Sequence, residues 1–173
     1  DMPKKDNIRQ MFDNISNDYD GFNHTMSLNF DKLWRRRALK EIIIPGKELQ
    51  VLDLACGTGD FSIAIAEALK DGGHVTGVDL SEGMLAVMRR KVEAAGLQDI
   101  ISTEKGEGEC LRFLDGSFDV VTIAFGIRNF EDRIQGLEEA LRVLKPGGKL
   151  VILELSVPSA PVIRGLYKFY FSK

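Results

Sequence analysis

Short apolar runs alternate along this chain with stretches in which apolar residues recur every three or four positions. The short runs occur at about 49–54, 74–79, 100–105, 118–124 and 149–155. Runs of this length are typical of buried strands, and the three-and-four spacing is typical of helices that bury one face. Strands separated by helices in this way indicate an α/β protein with a doubly wound parallel sheet and helices on both of its faces.

Glycine, proline and capping residues mark where the helices between these strands begin and end. One helix is predicted at about 60–70, the next is capped by Ser81 and stops at Gly96, and a third opens at Asp132. We expect the third helix to turn four apolar side chains inward, those of Ile134, Leu137, Leu141 and Leu144. The run of residues 145–148, Lys-Pro-Gly-Gly, then predicts a turn before the last strand.

Both ends of the chain depart from this rhythm. Residues 3–20 form a polar segment with one apolar helical stripe, and a second helix is predicted at 29–39. The stripe consists of Ile8, Met11, Phe12, Ile15 and Tyr19. Residues 158–173 contain two prolines, Pro158 and Pro161, which break regular structure, and are rich in large apolar groups. We therefore expect a helical region at 1–46, an α/β core at 47–157 and a separate apolar segment at 158–173.

The turn after the first strand carries the candidate chemistry. Ligands bind at the carboxyl ends of the strands in open α/β sheets, so Gly57 and Gly59 stand where a cofactor would lie. A dinucleotide site would need a third glycine at the position of Ser62. It would also be poorly served by Asp53, whose carboxylate would face a pyrophosphate. A cofactor that carries an amino group suits Asp53 better.

The pattern Asp53-x-x-x-Gly57-x-Gly59, followed by Asp79 at the end of the second strand, resembles the class I S-adenosylmethionine-dependent methyltransferases. Asp79 follows Gly57 by about twenty residues, which is the spacing of a ribose-binding acid. The resemblance implies a Rossmann-like three-layer α/β/α sandwich. It also implies S-adenosylmethionine as the cofactor and S-adenosylhomocysteine as the product.

Each part of that cofactor has candidate partners in the chain. The helix that opens at Asp60 should direct backbone N–H groups toward the cofactor carboxylate, and Asp53 should serve its ammonium group. Asp79 is placed to accept from the ribose hydroxyls, and the resemblance implies that Glu107 and Gly108 recognise the adenine. The candidate cofactor-binding residues are Asp53, Ala55, Gly57, Thr58, Gly59, Asp79, Leu80, Met84, Glu107, Gly108, Glu109 and Ala124.

Further motifs narrow the resemblance. Residues 19–23, 31–36, 125–129, 144–148 and 153–158 resemble the menaquinone and ubiquinone biosynthesis C-methyltransferases, the UbiE/MenG family. The Trp-Arg-Arg and Gly-Ile-Arg-Asn motifs are the most specific of these, and the resemblance covers nearly the whole chain. It implies that the last strands of the family's sheet are missing from this chain and that segment 158–173 is truncated.

Within that family, cofactor contacts correspond to Thr58, Asp79, Glu107 and Gly108 of this chain. A further contact, usually a serine, corresponds to Ala124, which has no hydroxyl to offer.

The resemblance implies methylation of a ring carbon of a demethylmenaquinol or a related prenylated benzoquinol, with no metal required. The electron-rich quinol carbon would attack the methyl group of the sulfonium. Arg128 is our candidate for stabilising the oxygen charge of the quinol, with Asn129 orienting it; alternatively Arg128 is a structural ion-pair partner. His24 and Tyr19 are candidates for proton handling. Region 1–46 would act as a lid or substrate region over the cofactor-binding core.

Composition limits the other classes of protein. A net charge of −3 argues against a general nucleic-acid binder, and residues 124–127 lack the Asn-Pro-Pro-Tyr tetrapeptide of base N-methylation. Cys56 and Cys110 form neither a disulfide framework nor a zinc motif, which fits a reducing cytoplasm. No apolar run has the length of a membrane span. We expect a cytoplasmic protein, and a peripheral contact with the inner face of the membrane and a homodimer are left open.

Three other functions are left open at this point. They are another small-molecule methyltransferase, a nicotinamide-dependent oxidoreductase and a non-catalytic cofactor-binding module. Ser62 and Asp53 count against the oxidoreductase. The binding module would be favoured if the region around Arg128 were closed to any acceptor.

Overall fold

The computed structural model describes residues 4–16, 19, 30–69 and 72–154. His24, a predicted candidate for proton handling, and the apolar segment 158–173 lie outside the described residues. The described elements are α1 (Lys4–Ile15), α2 (Phe30–Ile42), β1 (Leu49–Leu54), α3 (Asp60–Leu69), β2 (Gly73–Asp79), α4 (Glu82–Ala94), β3 (Ile101–Lys105), β4 (Phe118–Ala124), a short 3₁₀ helix (Ile127–Asn129), α5 (Arg133–Val143) and β5 (Leu144–Leu153).

The strands form one five-stranded parallel sheet in the order β3-β2-β1-β4-β5. Leu54, near the end of β1, is in register with Val78 of β2 on one side and Ile123 of β4 on the other. The chain winds outward in one direction from β1 to β3 and in the other from β4 to β5. The predicted doubly wound parallel sheet is confirmed, and its topological switch point lies between β1 and β4.

Helices cover both faces of the sheet. One core cluster joins Val51 of β1 to Ile42 of α2, Ile65 of α3 and Met88 of α4. A second cluster, on the other face, joins the neighbouring β1 residue Leu52 to the β4 and α5 residues Val121, Ala140 and Val143 among others. Successive side chains of a strand point to opposite faces, so a strand buried on both faces is mostly apolar, as β1 and β4 are.

The predicted helix caps are confirmed at two positions. Ser81 caps α4, where its hydroxyl oxygen accepts a hydrogen bond from the Met84 backbone N–H at 3.1 Å. Asp132 caps α5 and accepts from the N–H groups of Ile134 and Gln135. Each cap satisfies donors that a helix leaves unpaired in its first turn.

The predicted inward face of α5 is wrong at Ile134 and Leu141, whereas Leu137 is half-buried as part of that face. Ile134 is 71% and Leu141 is 59% exposed, whereas Gly136, Ala140 and Val143 are buried. The Phe130 ring accounts for this orientation, because a Cβ added at Gly136 would lie 2.3 Å from its Cδ2 atom. The small-residue face of α5 therefore packs on the ring, and the two large aliphatic side chains point outward. Leu144, predicted on the same face of the helix, instead begins β5 and is half-buried.

The predicted turn at residues 145–148 lies inside β5. Phe118 of β4 pairs with Leu144, and Val120 pairs with Lys149, so the register shifts between these two pairs. Gly147 takes up the shift with a φ of +78°, a left-handed conformation that glycine adopts without strain. The strand therefore starts earlier than predicted and accommodates the turn residues as a bulge.

Candidate functional site

A cleft opens at the carboxyl ends of the strands, beside the switch point of the sheet. Its empty volume, counted out to the open solvent, is about 780 Å³. Residues that follow four of the strands and residues of the N-terminal region line it: Ile8, Arg9, Phe12, Tyr19, Ala55, Gly57, Val78–Ser81, Met84, Gly106–Glu109, Ala124–Gly126 and Asn129–Glu131.

The glycine turn after β1 uses its glycines in two different ways. Gly57 lines the cleft and has a φ of +57°. Gly59, with a φ of +83°, is not among the lining residues; a Cβ there would lie 2.4 Å from the Cγ atom of Met88. Gly57 therefore exposes backbone to the cleft, while Gly59 allows the turn to pack on α4. Thr58 is buried and lies outside the lining, with its hydroxyl 3.5 Å from the Lys91 ammonium.

Asp79 joins the turn after β1 to the turn after β2. One carboxylate oxygen accepts from the Gly57 N–H at 2.8 Å, and the other accepts from the Ser81 N–H at 2.8 Å. Burial raises the pKa of Asp79, and these backbone hydrogen bonds act in the opposite direction. The two oxygens of a carboxylate can together accept about four hydrogen bonds, so the side chain can accept from a ligand while holding both turns.

The structure does not bring Asp53 into the cleft. Its side chain is 1% exposed and accepts from the hydroxyls of Ser62 at 2.6 Å and Thr122 at 2.7 Å. Burial raises the pKa of Asp53 to about 6, although these two hydrogen bonds and the charge of Arg35 lower it. Asp53 therefore ties β1 to α3 and β4 from inside the molecule. Ser62, which stands where a dinucleotide site would need glycine, is one of its two hydroxyl partners.

The loop after β3 places Glu107 and Gly108 in the lining. A Cβ at Gly108 would lie 2.6 Å from the Phe130 ring, so the backbone runs directly over that ring. Glu109 also lines the cleft, and its carboxylate accepts from the N–H groups of Glu131 at 2.6 Å and Asp132 at 3.1 Å. Glu109 thus holds the β3 loop against the segment that leads into α5.

The backbone is strained where β1 and β4 end. Ala55 has a φ of 54° and Phe125 a φ of 59°, values that residues other than glycine rarely adopt. A Cβ at Gly126 would lie 2.5 Å from the Cβ of Ala55, so the two turns touch. The Trp34 and Phe125 rings lie 6.3 Å apart. Strain of this kind is frequent at ligand sites, and all three turn residues line the cleft.

The two candidate catalytic residues after β4 lie in different environments. Asn129 lines the cleft. Arg128 is outside the lining; its side chain is 49% exposed and its guanidinium donates to Glu154 at 2.9 Å. The structure therefore places only Asn129 in the wall and shows the ion pair that the structural alternative for Arg128 requires.

Helix α1 forms one wall of the cleft through Ile8, Arg9 and Phe12. Tyr19 also lines the cleft and packs edge-on against Phe12, with the ring centroids 5.8 Å apart. The predicted stripe is divided, because Met11 and Ile15 are exposed. Sequence reasoning did not single out Arg9, whose position three residues before Phe12 on a helix was the available signal.

The Trp-Arg motif of α2 contacts both turns of the site. Trp34 lies against Phe125, and the Arg35 guanidinium lies 3.1 Å from the carboxylate of Asp60, the first residue of α3. Lys91 of α4 forms a second ion pair with Asp60. Burial acts to raise the pKa of Asp60, but the two cations outweigh it and the pKa is lowered. This cluster fixes α2 and α4 to the helix that follows the glycine turn.

The structure thus brings together most of the residues that the sequence singled out. The predicted residues in the lining are Tyr19, Ala55, Gly57, Asp79, Leu80, Met84, Glu107, Gly108, Glu109, Ala124 and Asn129. Asp53, Thr58, Gly59 and Arg128 lie outside it, although Thr58 and Gly59 belong to the turn that forms its floor. Sequence reasoning missed Arg9, Ser81, Phe125 and Phe130 as lining residues.

Over the described ranges, no group of three or more His, Cys, Asp and Glu side chains is arranged to hold a metal ion. Within the same part of the chain, none of the helices has the length and apolar character needed to cross a bilayer.

Known proteins resemble this chain in sequence. The profile of the ubiE/COQ5 methyltransferase family matches residues 2–173. The chain is 45% identical over 170 residues to the demethylmenaquinone methyltransferase of Bacteroides fragilis, covering 98% of this chain and 69% of that protein. It is 46% identical to the ubiquinone/menaquinone biosynthesis C-methyltransferase UbiE of Geobacter sulfurreducens, covering 97% of this chain and 65% of that protein.

Solved structures agree with the fold. A SAM-dependent methyltransferase from Aquifex aeolicus superposes with a TM-score of 0.65 at 25% identity, covering 73% of this chain and 66% of that one. The [4+2]-cyclase SpnF superposes with a TM-score of 0.77 at 21% identity, covering 91% of this chain and 62% of that one. The second likeness concerns the fold alone.

Proposed function

The chain belongs to the ubiE/COQ5 methyltransferase family and is therefore an S-adenosylmethionine-dependent methyltransferase, and we propose that it methylates a ring carbon of a demethylmenaquinol or a related prenylated benzoquinol. One observation supports this substrate class above others. The cleft combines a polar floor at the strand ends, which suits a nucleoside, with an apolar wall contributed by α1 and by Phe125 and Phe130. A prenylated quinol needs both a site beside the methyl donor and apolar surface for its tail.

The residues present in the cleft fit the cofactor. Asp79 would accept from the ribose hydroxyls, since its carboxylate is already oriented by Gly57 and Ser81. Glu107 and the Gly108 N–H would hold the adenine edge, with Met84 and Leu80 supplying apolar contacts. When bound, the cofactor supplies an electrophilic methyl group. Asp53 would not contact the cofactor but would hold the turn after β1 from inside the molecule, through Ser62 and Thr122.

The protein's remaining task is to orient the quinol and to favour its ionised form. Loss of a proton from a quinol hydroxyl makes the ring carbon more nucleophilic, so donors aimed at that oxygen lower the barrier. Asn129 lines the cleft and can donate through its side-chain amide. Arg128 would have to exchange Glu154 for the quinol oxygen in order to act there. Tyr19 and His24 stay our candidates for taking the proton.

A tailed quinol resides in a membrane, which bears on where the protein acts. We propose that it works in the cytoplasm with a peripheral contact at the inner face of the membrane. Co-sedimentation of the full chain with phospholipid vesicles, with and without an embedded prenylated quinol, tests this contact. Equal amounts of protein in the supernatant with and without vesicles would contradict it.

The proposed reaction is tested by supplying S-adenosylmethionine with a labelled methyl group to prenylated naphthoquinols and benzoquinols. We expect label on the quinol ring carbon, and less label in the Asp79→Asn variant when the cofactor is not saturating. Cofactor binding without transfer to any quinol would instead favour methylation of another small molecule. Binding of NAD with no affinity for S-adenosylmethionine would overturn the cofactor as well.

A further inference from the structure

Asp13 of α1 docks the helix onto the start of α4. One of its carboxylate oxygens accepts from the Gly83 backbone N–H at 2.9 Å and from the Ser81 hydroxyl at 2.5 Å. Next to it, Ser16 donates its hydroxyl proton to the Asp13 carbonyl oxygen at 3.2 Å and is itself buried. Asp13 adjoins Phe12 in the chain, and Phe12 lines the cleft.

Gly83 allows α1 to approach the start of α4 closely, which supports the docking by Asp13. A Cβ added at Gly83 would lie 3.1 Å from the Asp13 Cα atom, 3.1 Å from its carboxylate and 3.1 Å from the Ser16 hydroxyl. A Cβ at this position would require α1 to shift by a few tenths of an ångström relative to α4. The absence of a side chain at Gly83 and the two hydrogen bonds that Asp13 accepts thus favour the same position of α1.

Ser81 connects this docking point to the cofactor side of the cleft. Its hydroxyl donates to Asp13 and accepts from the Met84 N–H at 3.1 Å, while its backbone N–H donates to Asp79 at 2.8 Å. Ser81 is 1% exposed, so it has little freedom to form these bonds in another arrangement. A displacement of α1 that removes Asp13 therefore removes one restraint on the residue that orients Asp79.

Charge reinforces the contact. Partial burial acts to raise the pKa of Asp13, but the hydrogen bonds from Ser81 and Gly83 and the charges of Lys105 and Arg9 outweigh it, so the pKa is lowered. Asp13 is accordingly ionised near neutral pH and lies at the positive end of the α4 dipole.

We infer that Asp13 is a positioning residue for cofactor binding: through Ser81 it couples the docking of α1 to the orientation of Asp79. The inference rests on the ribose-binding role of Asp79 in the proposed function. Because such coupling is reciprocal, an occupied cofactor site would also stabilise the docked position of α1, which carries one wall of the substrate cleft. Binding of the cofactor would thereby prepare the surface that receives the quinol.

The test compares S-adenosylmethionine affinities of full-length variants by calorimetry. Asp13→Ala should weaken binding roughly tenfold, as expected when a charge-assisted hydrogen bond is lost. Asp13→Asn keeps an acceptor oxygen, so it should recover part of the affinity, and it also provides a folded variant if the alanine variant fails to fold. Asn14→Ala, an exposed neighbour on the same helix, serves as the matched control and should leave affinity unchanged.

A double-mutant cycle that combines Asp13→Ala with Ser81→Ala tests whether Asp13 acts through Ser81. If Asp13 acts through the Ser81 hydroxyl, the double variant should bind about as weakly as the weaker single variant, because both changes remove the same link. Multiplicative losses would overturn the inference, as would an Asp13→Ala protein with a lower melting temperature but wild-type affinity. The calorimetric test contains no quinol. If it shows the coupling but the protein methylates no quinol, the inference stands and the proposed reaction is contradicted.

Discussion

Two aspartates near the carboxyl ends of adjacent strands have opposite roles. Asp79 lines the cleft and holds two turns through backbone N–H groups, which leaves acceptor capacity for a ligand. Asp53 is enclosed by the hydroxyls of Ser62 and Thr122 and faces the interior. Both were predicted to contact the cofactor. What separates them is the set of neighbours that the fold places around each side chain.

Replacing Asp79 by Asn should weaken S-adenosylmethionine binding by about 1.5–3 kcal/mol, because hydrogen bonds to a charged acceptor are lost. The amide oxygen can still accept one backbone N–H, so the turns should stay folded. Titration calorimetry measures the affinity, and Asp99→Asn removes one charge from an exposed turn as a control. Equal affinities of the Asp79 variant and the wild type would contradict the ribose assignment.

Arg128 can be tested against its own ion pair. If it stabilises charge on the quinol oxygen, Arg128→Ala should lower kcat by roughly 10²–10³ and leave cofactor affinity nearly unchanged. Glu154→Gln removes the ion-pair partner but keeps the guanidinium, so it should retain most of the activity. Similar losses in both variants, accompanied by reduced thermal stability, would support the structural alternative. Steady-state kinetics with saturating cofactor distinguishes the two outcomes.

At the scale of elements, α1 is held to the core by the hydrogen bonds of Asp13 to the start of α4. We predict that amides in α1 exchange faster than those in β1 in the free protein, because a helix held by few core contacts opens locally at low cost. Adding S-adenosylmethionine with a tailed quinol analogue should slow their exchange. Hydrogen exchange read by mass spectrometry gives both rates, with β1 as the internal reference.

Protection of α1 equal to that of β1 in the free protein, and unchanged by ligands, would show a fixed structural helix. That result would end the hypothesis of a lid.

The strands and helix caps could be predicted from the sequence because their signals are local. Strands β1 and β4 have the predicted bounds, since a short, mostly apolar run and the breakers around it are decided within a few residues. The inward face of α5 could not be predicted in this way. It is decided by Phe130, which lies outside the helix, and by the space that Gly136 leaves for its ring.

The same distinction applies to the site at the scale of the whole molecule. The glycine turn, Asp79 and the loop of Glu107 and Gly108 follow strand ends, so the topology of the sheet alone brings them to one edge. Asp53 is buried against Thr122, which is 69 positions away in the chain, and Arg128 pairs with Glu154, which is 26 positions away. Such pairings depend on packing between elements, which the spacing of motifs does not contain.

The interior position of Asp53 should make the stability of the whole molecule depend on pH. Its pKa of about 6 in the folded protein exceeds that of an unfolded chain, so the folded state binds the proton more tightly. The cost of the buried charge is therefore fully present above pH ~6 and is relieved as the pH falls toward ~4. At neutral pH this cost is roughly 3 kcal/mol, with burial as its cause.

Chemical denaturation of the wild type and of Asp53→Asn at several pH values measures the effect. Between about pH 7.5 and pH 5, the wild type should gain roughly 1–1.5 kcal/mol relative to the variant, because the amide does not titrate. Asp99→Asn, on the surface, should show no such trend relative to the wild type. If the difference in unfolding free energy between the wild type and Asp53→Asn did not change with pH, the raised pKa of Asp53 would be contradicted.

The order of the strands also has a consequence for how the chain acquires its structure. The central pair, β1 and β4, joins residues such as Asp53 and Thr122 that are 69 positions apart, while β2 and β3 lie between them in the chain. During synthesis, β1 must therefore wait for β4 to emerge from the ribosome before its second edge is paired. Distant strand pairings are slow to form and leave unpaired edges exposed in the meantime. Nascent chains stalled before residue 118 should accordingly depend on chaperones more than chains released after β5 is complete.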